Sequence, residues 1–152
     1  AAHGLGTFSD TLLHVADSTA AIRAVRVRPS AVTVGDHVRL RGRVALRDGQ
    51  PVLDEVDVFA VGSPLSLPSA PVVTTSTAAS AAAGTLDARV VRVVDVPVVD
   101  TQTVLGSLRV RVDDGSGVLV LLLDRTADAA FRPPFVDGTW TAGRRFDAVG
   151  VL

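Results

Sequence analysis

The sequence predicts an all-β protein made of two small β-units in tandem. Three observations carry this. Val38, Leu40, Gly42 and Val44 alternate with Arg39, Arg41 and Arg43, and Leu108, Val110 and Val112 alternate with Arg109, Arg111 and Asp113; this is the period-two signature of half-buried strands. Asp48-Gly49 and Asp114-Gly115-Ser116-Gly117 supply the residues that tight hairpins need where φ turns positive. Between the two patterned halves lies a stretch rich in Pro, Ser and Ala. With 47% hydrophobic residues in 152, the chain has enough apolar material for a core and is not of disordered composition.

Taken in order, Ala1 to Asp10 is glycine-rich and weakly patterned, the remnant of a strand at most. Leu12 to Val15 and Ala21 to Val27 form a first hairpin around Asp17-Ser18-Thr19, ended by Pro29-Ser30. Val38 to Val44 is the cleanest strand; after Asp48-Gly49 the chain returns as Val52 to Val61, with Val56, Val58 and Ala60 on one face. Pro64, Pro68 and Pro71 mark a linker, with the domain boundary near Ser63 to Pro71. Thr74 to Gly84 reads as a short helix: a hydroxyl residue caps its start, alanines favour it and Gly84 suits the position after its end. Leu86 to Val99 is a long strand whose Arg89 and Arg92 stand three apart, so a bulge is expected, and Pro97 adds an edge or irregular position. The hairpin Leu108 to Leu123 follows. Arg125 to Gly138 is a long connection with a possible helical turn at Thr126 to Phe131, stopped by Pro133-Pro134, and Trp140 to Leu152 is the last strand.

The halves repeat. Val15 to Ile22 aligns with Val112 to Leu119 at an offset of 97 residues, and Val34 to Val44 aligns with Ala142 to Leu152 at an offset of 108. The difference falls in the connection Arg125 to Gly138, where insertions are tolerated. A long bulged strand, a hairpin turning on Asp-Gly-Ser-Gly, a connection, and then Val34-Gly35-Asp36-x-Val38-x-Leu40-x-Gly42-x-Val44 resembles the OB-fold. In particular it is similar to the tandem OB-like modules of secreted, GC-rich bacterial proteins. The resemblance spans nearly the whole chain and implies two five-stranded, partly open Greek-key barrels. The predicted domains are 1–62 (strands two to five), a linker with a short helix over 63–84, and 85–152 (strands one to four). Each barrel then lacks one terminal strand, with only Gly4 to Phe8 available for the first strand of the first. A short barrel exposes unpaired backbone, so three explanations are open: an excerpt of a longer protein, polymerisation by strand addition, or barrels that close with fewer strands.

Composition excludes more than it selects. The net charge of −1 removes the simple electrostatic case for nucleic acid or a membrane surface. Without cysteine there is no disulfide, thiolate metal site or thiol nucleophile. Every basic residue is arginine, and Lys, Met, Tyr and Asn are also missing, as a GC-rich genome would give. The missing Met points to a processed chain or a piece of a longer one, and Ala1-Ala2 is compatible with secretory cleavage. No run reaches the ~18 apolar residues of a membrane span.

Two surfaces emerge as candidates. Val118, Leu119, Val120, Leu121, Leu122 and Leu123 form an uninterrupted apolar strand. Half of these side chains have no core to enter; uncovered, each forfeits up to ~1.5–3 kcal/mol of burial, so they suggest a protein contact unless the linker, helix or other barrel covers them. Arg39, Arg41, Arg43, Arg109 and Arg111 suggest a phosphate-tracking face for a single strand, a role OB-folds often take, but that role needs aromatic platforms and only Trp140 and five Phe exist. Asp113-Asp114-Gly115-Ser116 offers oxygen ligands, yet it lacks the spaced acids of a calcium loop and reads as a turn. His3, His14 and His37 lack metal-ligand spacing, Asp54-Glu55 would face opposite sides of a strand, and neither a nucleophile elbow nor a phosphate loop is present. The expectation is a non-enzymatic, cofactor-free module of an extracellular or surface bacterial protein. Its partners would be further copies or neighbouring domains, as in a filament completed by strand exchange. The alternative is a single-strand-binding module accessory to a secreted nuclease.

Overall fold

The computed structural model describes residues 2–4, 12–28, 32–62, 69–81, 84–104, 107–123 and 140–152. Residues 63–68 of the predicted linker, and the whole predicted connection Arg125 to Gly138 with its helical turn at Thr126 to Phe131, lie outside the described residues. The protein is mostly β, with two sheets, one of them curled into a half-barrel, and one short helix. It divides into two compact units. The first comprises Ala1–Ser69 with Ala82–Arg89 and Leu152, and the second Ala70–Ala81 with Val90–Val151.

The first unit holds strands β1 (Ala2–Gly4), β2 (Leu13–Ala16), β3 (Ala21–Val25), β4 (His37–Arg47) and β5 (Gln50–Gly62) in the order β1-β2-β3-β5-β4. A first strand exists in this unit at Ala2–Gly4, paired with Leu13–Val15, which corrects the expected deficit there; of the candidate Gly4 to Phe8, residues 5–8 lie outside the described residues. The β2–β3 turn is closed by Asp17, whose Oδ1 accepts from the Thr19 and Ala20 amides at 2.7 and 2.9 Å and from the Thr19 hydroxyl at 2.6 Å. Asp48 and Gly49, at φ 53° and 80°, form the predicted tight turn between β4 and β5. β5 lies parallel to β3 and antiparallel to β4, so the chain crosses over instead of continuing as a meander. Leu13, Ala24, Val27 and Val56 are buried together, with Val15, Leu40, Leu53 and Val58 packed against them.

The second unit holds α1 (Thr75–Ala79), β6 (Val90–Val104), β7 (Ser107–Asp113), β8 (Val118–Leu123) and β9 (Arg145–Val151), in the sheet order β8-β7-β6-β9. The helix is capped by Thr74 as predicted but stops at Ser80, well before Gly84. β6 runs five residues beyond the predicted Val99, and its Pro97 is not at an edge. The β9 ladder ends at Pro97 and the β7 ladder starts at Val98, so the missing amide falls where one partner hands over to the other.

In β6 the buried side changes parity, from Val91 and Val93 to Val96 and Val98. The step contains a non-glycine residue in the left-handed region, Asp95 at φ 52°, and the first unit has two more, Arg26 at 49° and Glu55 at 54°. Bulges lie at Glu55-Val56 against Gly42 and at Val94-Asp95 against Asp147. The bulge expected near Arg89 and Arg92 is thus real but lies a few residues later. Opposite the β5 bulge the backbones approach so closely that a Cβ on Gly42 would stand 2.8 Å from the Asp54 carbonyl oxygen and 2.9 Å from Leu53 Cγ. Replacement of Gly42 by Ala is expected to cost about 1–3 kcal/mol through overpacking, read as a lower urea midpoint with an unchanged slope; an unchanged midpoint would contradict the close approach.

Candidate protein-contact face

The β7–β8 hairpin is fixed from its turn. Asp113 Oδ1 accepts from the amides of Gly115 and Gly117 at 2.8 and 3.0 Å, and Asp114 Oδ1 accepts from the Ser116 amide at 2.9 Å. The same Asp114 carboxylate reaches α1: its Oδ2 accepts from the Thr75 amide at 3.0 Å and its Oδ1 from the Thr75 hydroxyl at 2.7 Å, while Ser116 Oγ accepts from the Ser76 amide at 3.0 Å. The turn therefore satisfies backbone donors of a short helix through Asp114 and Ser116, while Asp113 closes the turn itself. Hydrogen bonds from Ser116 and Thr75 hold the Asp114 carboxyl far below the usual carboxylate range.

Pinned in this way, β8 places its six apolar side chains by strict alternation. Leu119 is buried and Leu121 and Leu123 are half-buried, on the side shared with buried Val110 and Val112 of β7. Val118, Val120 and Leu122 project the other way and are 37%, 53% and 62% exposed. Three large side chains are thus without a core, as the sequence suggested. Beside them on β7 stand Asp113 next to Val118, Arg111 next to Val120 and Arg109 next to Leu122. Arg111 is bound to Asp100 of β6 at 2.7 Å. β8 ends the sheet, and among the described residues no strand pairs with its outer edge.

The other arginine row lies on β4 of the first unit. Arg39, Arg41 and Arg43 are exposed on one side, but acids are interleaved with them. Arg41 stands opposite Asp57, which Arg28 binds at 3.0 Å, and Arg43 lies 3.7 Å from Glu55. The two arginine groups, Arg39/Arg41/Arg43 and Arg109/Arg111, belong to different units. The sequence did not reveal that Phe59, 53% exposed, stands opposite Arg39. No family model, curated protein or solved structure matches the chain.

Further in from this row lies buried Asp54, on which Arg26 closes with Nε and Nη2 at 2.7 and 2.6 Å, while the Glu55 amide donates to its Oδ1 at 2.9 Å. The Arg26 guanidinium holds the Asp54 carboxyl down to about 2, and the Thr19 hydroxyl with the neighbouring amides does the same for Asp17. Asp54 and Glu55, read as a possible acid pair, serve a bulge. The β1–β2 register sets the backbone of His3 opposite that of His14, a pairing that sequence spacing hid, whereas His37 begins β4. Among the described residues no group of three or more His, Cys, Asp or Glu is placed to hold a metal ion, and no helix is long and apolar enough to cross a membrane.

Two outcomes are expected. Removing the buried Thr75 hydroxyl by Thr75→Val should cost about 1–3 kcal/mol, because a hydrogen bond to a charged group is lost; urea unfolding measures it. The depressed carboxyls Asp17, Asp54 and Asp114 add stability that is complete above their unfolded value of 3.8 and lost as pH falls below it, toward about 2 for Asp17 and Asp54 and further down for Asp114. Thermal midpoints should fall steeply as pH is lowered below about 4.

Proposed function

We propose that this protein is a non-enzymatic interaction module of an extracellular bacterial assembly, built from two OB-like units and engaging another chain through β8. The single observation that carries the reading is the row Val118, Val120 and Leu122, exposed on a terminal strand that has no charged residue of its own. Edge strands in soluble proteins are ordinarily guarded by charge, brevity or irregularity. The other sheet edges here have such guards: β4 carries Arg39, Arg41, Arg43 and Arg47, β9 carries Arg145 and Asp147, and β1 is three residues long. β8 lacks them all, which fits a strand that is covered in use.

Strand order supports the OB-like reading. The first unit supplies the links 1-2-3-5-4, with strand three parallel to strand five. If β6 to β9 are strands one to four, the second unit supplies 4-1-2-3. Laid over one another, the two partial orders make one closed ring, 1-2-3-5-4-1, of the kind a five-stranded Greek-key barrel has. Because the first unit contains its own β1, the case for completion from outside now rests on the second unit alone.

Single-strand nucleic-acid binding is the second reading, and the adjacency of Arg39 and exposed Phe59 is what favours it. Asp57 and Glu55 oppose it by offsetting the charge of the same row. An apolar dye should bind the wild-type protein and lose that signal in Val120→Arg, whereas oligo-dT titrated at 50 mM salt should give no binding that depends on Arg39, Arg41 and Arg43. Dye binding unchanged by Val120→Arg would overturn the contact reading, and salt-sensitive DNA binding abolished by replacing the three arginines would put the second reading in its place.

A further inference from the structure

We propose that Asp48 is a site of spontaneous backbone modification: it closes with the Gly49 amide to a cyclic imide and reopens as isoaspartate, while Asp114-Gly115, the same dipeptide in the second unit, is protected by its contacts. This goes beyond the use of β8 and does not depend on it. Imide closure needs a carboxyl free to act as electrophile, a following amide nitrogen free to attack it, and no side chain crowding the approach. Glycine meets the last need, and two Asp-Gly pairs lie among the described residues.

At the first pair the other needs are met as well. Asp48 and Gly49 are exposed, and neither the Asp48 carboxylate nor the Gly49 amide is hydrogen-bonded to any described residue. A Cβ built on Gly49 would meet nothing within 4 Å, so the space around the glycine is open. Positive φ at both residues, 53° and 80°, makes this a type I′ turn, and its central peptide lies outside the β4–β5 ladder. A flip of that peptide to the II′ form turns ψ of Asp48 to about −120°, where the Gly49 nitrogen comes into line with the Cβ–Cγ arm.

The second pair is locked at both reacting groups. Asp114 Oδ2 accepts from the Thr75 amide, Oδ1 accepts from the Thr75 hydroxyl and the Ser116 amide, and the Gly115 amide donates to Asp113 at 2.8 Å. These bonds also hold the Asp114 carboxyl ionised, which makes it a poor electrophile. Each hydrogen bond to a charged group that must break before attack slows closure by roughly tenfold or more.

The reaction balances with water alone. The bond from Gly49 nitrogen to Asp48 Cγ forms, the Cγ–OH bond of the neutral carboxyl breaks, and the amide proton leaves with the hydroxyl as water. Water then adds to either imide carbonyl. Opening at Cγ restores aspartate; opening at the α-carbonyl leaves the chain running through Cγ, with one main-chain atom more. The two-residue turn sets the register that pairs Arg47 with Gln50 and Ala45 with buried Val52, so the added atom strains that register.

The test is to hold the whole chain at mildly acidic pH and 37 °C, folded or unfolded in guanidinium chloride, and to sample it over weeks. Endoproteinase Asp-N, which cuts before aspartate and not before isoaspartate, reads each position together with electron-transfer fragmentation. In the folded chain Asp48 should convert at least roughly tenfold faster than Asp114, and in the unfolded chain the two should convert at similar rates. An Asp48 that stays intact in the folded protein while the unfolded chain converts overturns the proposal. So does an Asp114 that keeps pace with Asp48 in the folded protein.

Discussion

Three non-glycine residues stand in the left-handed region where the sheets are irregular, Arg26, Glu55 and Asp95, and at Asp95 the strand changes the side that it buries. A non-glycine residue at positive φ costs of order 1–3 kcal/mol and persists only where its surroundings hold it. Here the holding groups are ion pairs. Asp54 takes the Arg26 side chain and the Glu55 amide at once, so one buried carboxylate stabilises two such positions on adjoining strands. In the second unit, Arg145 binds the Asp95 carboxylate, whose own amide donates to Asp147, and Asp147 in turn is bound by Arg92. The pairs are partly exposed and contribute little as isolated salt bridges. Their effect is geometric: they fix where the bulge sits and therefore which valines face inward.

The same geometry accounts for the contact strand. Because the β6 bulge restores Val96 and Val98 to the inner side, β7 and β8 pair with a sheet whose core is already filled by Val110, Val112 and Leu119. Nothing remains on that side for Val118, Val120 and Leu122. An apolar residue on both faces of a strand is ordinary when the strand is central and unusual when it is terminal. β8 has the composition of the first kind and the position of the second, and a second chain is the simplest way to bring the two into agreement.

Arginine and acid are distributed differently at the two candidate faces, and this separates the readings. Around β4, Arg41 and Arg43 meet acids of β5 while Arg39 stands opposite exposed Phe59, and Val44 and Leu46 are also exposed, which leaves a mixed, solvated surface. Around β8 the apolar row is continuous and its flanking charges follow the order acid, base, base from Asp113 to Arg109. A polyanion needs a surplus of cations along a track. A second protein surface needs area free of charge with polar groups at its border, and β8 offers that.

Local physics made most of the elements legible in the sequence alone. Alternation announced β4 and β7, Asp48-Gly49 and Asp114-Gly115 announced the turns, and the uninterrupted apolar run Val118 to Leu123 announced β8 and half of its side chains in want of a core. The sequence also showed that some slip occurs in the strand after Leu86, since Arg89 and Arg92 break the period. It could not place the slip, because Val93-Val94-Asp95-Val96 reads equally well with either valine inward until Arg145 and Asp147 arrive from about fifty residues away. It hid the first strand at Ala2–Gly4, too short to have a pattern and defined only by its partner β2. Strand order, the parallel pairing of β3 with β5 and the meeting of Asp114 with Thr75 are likewise contacts between distant residues, and pairing at a distance is decided by the packed sheet, where one buried carboxylate or one absent Cβ at Gly42 selects among registers that the local sequence leaves equivalent.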